Sequence, residues 1–144
     1  MIEKILHKKK LLALIVRGKY RSKKGITFFT TNDSTQQFGY MKHKKKHVIK
    51  PHLHKKRLTR ILYTTEVILM LKGILRVDFY SFSKKYLFSK IIREKDIIML
   101  VHGGHGFKVL KDIEMLEIKQ GPYSLSKDKI KFQNADENKI KIKK

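Results

Sequence analysis

The sequence predicts an all-β, antiparallel domain, and three observations carry that prediction. Apolar residues alternate with polar ones or come in short β-branched runs; turn-forming residues separate these runs at regular spacing; and helical spacing is hard to find over any long window. Strands and turns in that rhythm are the pattern of an antiparallel sandwich or barrel.

Eight segments read as strands. Residues 11–16 (LLALIV) and 25–30 (GITFFT) come first, and a weakly amphipathic helix is the alternative for one of them. Residues 46–54 follow, then 60–71 and 74–80, separated by Lys72-Gly73 as a turn. Residues 86–92, 97–101 and 107–119 complete the set. Further turn signals stand at 31–34 (TNDS), 81–85 (SFSKK), 94–96 (EKD), 102–106 (HGGHG) and Gly121-Pro122. Beyond Tyr123 the apolar pattern fades, so the last dozen residues are expected to fray.

At 144 residues the chain is long enough for one domain with its own core, expected over 1–132 with a charged tail at 133–144. It has no cysteine, which excludes disulfides, thiolate metal sites and thiol nucleophiles together. The longest apolar runs fall far short of the roughly 20 residues of a membrane helix. The run at 11–16 follows three lysines but is short for a signal peptide, so a cytoplasmic protein with no membrane partner is expected.

The net charge is +23, and of the 35 basic residues 29 are lysine and only 6 arginine, beside 17 isoleucines. Lysine and isoleucine rising together follow from AT-rich coding, whereas phosphate-gripping and base-reading surfaces favour arginine. Most of this charge is therefore read as solvated surface, although so positive a field attracts anions.

The histidines suggest chemistry. On a strand, His52 and His54 of KPHLHKKR point to one face, with Leu53 opposite. Pro51 removes one ladder donor, which suits an edge or rim. Glu66 opens an apolar strand with Ile68 and Met70 as same-face neighbours, so its carboxylate faces either the core or a site within it, and a cation is one partner that offsets its burial. His105 sits in the corner Gly103-Gly104-His105-Gly106, where little bulk shields the ring.

In order, these segments resemble the two motifs of the cupin family. His52-x-His54, Glu66 and, after six residues, Gly73 correspond to the first motif; Asp96, Gly103 and His105 correspond more loosely to the second. Eleven residues separate His54 from Glu66 where the family pattern has three or four, Lys95 replaces the motif glycine, and Val101 stands at the motif proline. The stretch from about 39 to 123 looks like a cupin domain. Gly73-x-x-Arg76-Val77-Asp78-Phe79-Tyr80, Gly103 to Phe107 and Gln120-Gly121-Pro122-Tyr123 are similar to a subgroup of small bacterial cupins associated with surface-sugar biosynthesis.

The resemblance implies an antiparallel double-stranded β-helix, or jelly-roll barrel. It also implies a divalent metal ion (iron, manganese, nickel or zinc) held by His52, His54 and His105 with Glu66 as fourth ligand. Arg60 and Arg76 are then the candidates for gripping an anionic, sugar-derived substrate, with Tyr63 and His102 as catalytic candidates. Isomerase, epimerase and oxygenase chemistry all remain open. Three alternatives stand beside this reading: a metal-free nucleotide-sugar isomerase using histidine and carboxylate as acid and base, a basic nucleic-acid-binding module, and a non-catalytic sugar sensor. The resemblance further implies a homodimer, with residues 11–16 and 25–30 expected to supply its face.

Overall fold

The computed structural model describes residues 1–23, 25–124 and 128–144. The described chain is all-β and antiparallel, as the sequence predicts. It divides into two compact units, one of Met1–Tyr20 with Tyr63–Lys144 and the other of Arg21–Leu62, where a single domain over 1–132 is expected from length.

The larger unit is one curled sheet. Its strands are β1 (Ile2–His7), β2 (Lys10–Val16), β5 (Glu66–Tyr80), β6 (Tyr86–Arg93), β7 (Ile97–Leu100) and β8 (Gly104–Lys119). They lie in the order β1-β2-β7-β5-β6, with β8 on the other edge of β5. The smaller unit holds the hairpin β3 (Gly25–Phe28) and β4 (Gly39–Lys42), paired from Gly25↔Lys42 to Phe28↔Gly39.

β5 organises the sheet. Its first half pairs with β7 and its second half with β6, while β8 runs antiparallel along its whole length. Ile68, Met70, Leu75, Val77 and Phe79 of β5 pack with Leu12, Ala13 and Ile15 of β2 and with Ile92, Ile98 and Leu100 to form the core. A buried side chain of this size contributes roughly 1.5–3 kcal/mol, so the run reads as strand because most of it is needed inside. β2 is likewise a core strand, with Leu12 to Ile15 at most 2% exposed. That removes it as the expected dimer face.

Three sequence expectations change. Lys72-Gly73 is not a turn: β5 continues through it, shifting register against β8 between Met70 and Leu75. Gly73 has φ +89, and a Cβ there would stand 2.0 Å from the Asp112 carbonyl oxygen, so glycine absorbs an irregularity that bends the strand. Residues 46–54 form no strand, and Pro51 among them lacks a ladder donor. The tail does not fray. The amide of Ser89 donates to the Lys141 carbonyl at 2.8 Å, and that of Lys143 to the Ser89 carbonyl at 2.9 Å, so the tail occupies part of the free edge of β6.

Candidate functional site

His105 and Glu66 meet at a distance of 3.0 Å between Nε2 and Oε2. They belong to opposite ends of the β5–β8 ladder, since Glu66 pairs with Lys119 and His105 with Phe79. Only a sheet that curls back across its own concave face closes that gap. The corner between β7 and β8 supplies the crossing. β7 ends with Leu100 beside Glu66, and the chain then turns so that Gly104 enters β8 beside Tyr80. Gly103 makes the turn at φ +76, where a Cβ would lie 2.6 Å from the Tyr80 carbonyl oxygen.

The pair is electrostatically defined. The Glu66 side chain is 6% exposed, and that of His105 is 28% exposed. The hydrogen bond from His105 holds the Glu66 carboxyl down to about 2, against the upward push of burial, with the Lys129 ammonium assisting. Lys129 Nζ lies 3.4 Å from Oε1. The 3.0 Å contact is a hydrogen bond only when Nε2 carries the proton; otherwise Oε2 is a buried acceptor with no donor. With its proton on Nε2 the neutral ring would face Glu66 and keep the lone pair on Nδ1.

Gln120 was not singled out as a site residue, although it opens the run Gln120 to Tyr123. Its Oε1 accepts from the Thr65 amide at 2.7 Å, pinning the end of β8 to the start of β5. Its Nε2 is buried and has no hydrogen-bond partner among the described residues. Thr65 and Gln120 each stand one residue from the Glu66–Lys119 ladder pair.

Tyr63 and His102 meet with Phe82. The His102 ring stacks on Phe82 at 5.5 Å between centroids, and Tyr63 stands edge-on to both at 5.2 and 5.7 Å. Burial, and secondarily the charge of Lys10, pushes the His102 imidazole down, so it is neutral near pH 7. In this group the His102 ring forms part of an aromatic wall. Tyr63 and Phe82 are 52% and 66% exposed, which leaves their outer surfaces open. Each of Tyr63 and His102 is three residues from a member of the pair, within about 11 Å along an extended chain.

Arg76 is committed elsewhere. Its guanidinium donates to both Asp78 oxygens at 2.8 and 2.9 Å and to both Glu137 oxygens at the same distances. Lys108 adds a second cation to Glu137 at 2.9 Å. Ser89 and Tyr86 continue the network from Asp78. This occupation leaves Arg76 a structural tie in place of the substrate-gripping role predicted for it.

His52, His54 and Arg60 lie in the smaller unit. His52 and His54 meet edge to face, with ring centroids 5.4 Å apart, and His52 Nδ1 approaches the Lys50 carbonyl at 2.9 Å. They do not sit on a strand, so alternation does not place them on one face. Arg60 is exposed. In the larger unit Glu66 and His105 offer one oxygen and one nitrogen, and an ammonium already faces the second oxygen. Among the described residues no three His, Asp or Glu side chains gather in a way that suits one ion. Of the four ligands that the resemblance implies, His52 and His54 thus belong to the smaller unit and Glu66 and His105 to the larger.

Among the described residues, no helix is long and apolar enough to cross a membrane. No family model matches the chain, and neither a curated protein nor a solved structure does so.

Proposed function

We propose that the chain is a proton-transfer enzyme of the jelly-roll cupin type, acting on a small, anionic, sugar-derived carbonyl compound without a resident metal. The observation that supports it most is the 3.0 Å contact between His105 and a buried, ionised Glu66. A carboxylate that fixes an imidazole tautomer also stabilises the imidazolium formed when the ring takes a proton. The motif-like runs around Gly73, Gly103 and Gln120 support the cupin assignment, and the sugar class rests on the same resemblance.

In this reading Nδ1 of His105 removes the proton from a carbon beside the carbonyl, and the electron pair moves onto the carbonyl oxygen as an enediolate. His105 then returns the proton to the former carbonyl carbon while the hydroxyl proton of the first carbon passes to the former carbonyl oxygen, so the carbonyl moves by one carbon and the net change is an isomerisation with no redox partner. The rings of Tyr63, Phe82 and His102 offer a surface for the apolar face of a sugar. The chain's positive field draws the anion in.

The test is deuterium incorporation from heavy water into nucleotide-linked keto sugars, followed by NMR on chelator-treated protein with its metal content measured in parallel. Exchange by the wild type that falls about a hundredfold or more in His105→Gln is the expected result. Exchange unchanged in His105→Gln removes the proposed base. Activity that vanishes on chelation and returns with iron, nickel, manganese or zinc instead favours the metal-dependent reading.

A further inference from the structure

The smaller unit carries a surface that the acid–base reading leaves unused. Residues 42–62 contain nine lysines and arginines and no aspartate or glutamate. Every residue from 44 to 62 is exposed, with no regular secondary structure over that stretch. The aliphatic residues among the cations are exposed too: Val48 is 75%, Leu53 95%, Leu58 99% and Leu62 71% exposed, with Ile49 and Ile61 also open. Isolated exposed leucines are ordinary, but six aliphatic side chains interleaved with nine cations in one segment form a pattern.

We propose that residues 44–62 form a docking surface for an anionic lipid bilayer. Two properties select that partner. The cations complement a negative membrane surface, which attracts polybasic segments through the sum of many weak contacts. The aliphatic side chains are suited to entering the boundary between headgroups and acyl chains, where their exposure to water ends. Single-stranded nucleic acid is the other polyanion to consider, but sequence-tolerant binding to it uses aromatic platforms for base stacking. Residues 42–62 contain no phenylalanine, tyrosine or tryptophan, and seven of the nine cations are lysine. The sequence-based expectation of no membrane partner followed from the lack of a spanning run, and lying on a bilayer surface requires none.

Leu53 and Leu58 are the appropriate probes, because their side chains support no core and can be changed without loss of fold. The full-length chain is sedimented with vesicles of phosphatidylcholine alone and of phosphatidylcholine with phosphatidylglycerol. Binding is compared with the doubly substituted L53Q/L58Q chain and, separately, with a single-stranded RNA in place of vesicles. The expected result is binding to the mixed vesicles alone, weakened by added salt and reduced about tenfold or more in L53Q/L58Q, although that variant keeps every cation. Equal binding by L53Q/L58Q and the wild type overturns the proposal, since charge alone then accounts for the association. So does equal binding to neutral vesicles, no vesicle binding at all, or RNA binding tighter than vesicle binding and indifferent to the leucine changes. None of these outcomes bears on proton exchange at His105, so the two readings stand or fall separately.

Discussion

Two of the buried carboxylates of the larger unit have cationic or imidazole partners of different kinds. Glu66 meets an imidazole and an ammonium, whereas Asp78 meets the rigid, bidentate Arg76 guanidinium. The Arg76 network is closed: Glu137 and Asp78 together push its guanidinium's proton affinity up, and its side chain is 7% exposed. The His105 pair is more open, with its ring partly exposed. A closed network ties strands together; an open one can act on something else.

Arg76→Ala is the strongest way to probe this contrast. Removing the guanidinium strands Asp78 without its main partner and frees Glu137, and a loss of about 3–5 kcal/mol in urea unfolding is expected. A loss below about 1 kcal/mol would erase the distinction drawn between the two carboxylates.

Glu66→Gln is expected to cost less, about 1–2 kcal/mol at neutral pH, because water reaches both its partners. Its carboxyl is depressed in the folded state to about 2 from 4.5. The carboxylate's contribution is therefore fully present above about 4.5 and is lost as pH falls through about 2. Stability of the Gln variant measured across that window should fall less steeply than that of the wild type. Parallel curves would mean that His105 does not hold the carboxylate.

His105→Gln should alter stability by only about 1 kcal/mol while abolishing proton exchange, since Lys129 still faces Glu66. A stability loss as large as that of Arg76→Ala would make the pair another tie. The smallest effect is expected for Glu137→Gln, read as faster hydrogen exchange at the Ser89 and Lys143 amides with the core of β5 unchanged. Protection unchanged at both amides would show that the backbone bridge holds the tail without Arg76.

Much of the fold is legible in the sequence because burial leaves a periodic trace. The predicted strands at 11–16, 86–92 and 97–101 match β2, β6 and β7 within a residue or so, and Ile68, Met70 and Phe79 are buried as their run suggests. β1 and β4 were missed, because short strands with mixed faces, such as IEKILH and GYMK, carry little alternation. The sequence reads Lys72-Gly73 as a turn because glycine's positive φ has the same signature in a turn and in a bulge. Glu66 and His105 are legible as a buried acid and a glycine-flanked ring. Their closeness is not, since it depends on how far β5 and β8 curl. Lys129 reaches Glu66 from beyond the end of β8, and nothing local marks it. The Arg76 tie is illegible for a related reason, since Glu137 comes from a tail that composition alone would leave in water.

The arrangement of β5 has a consequence for the chain as it is made. Each strand that pairs with β5 is synthesised after it, and β8 is complete only at Lys119, 39 residues beyond Tyr80. At roughly 5–20 residues per second, the ribosome leaves this 15-residue apolar strand without its last partner for about 2–8 s. During that interval the nascent chain presents the β8 edge of this long strand to chaperones and to neighbouring chains, and the lysines that flank it in sequence keep such chains apart.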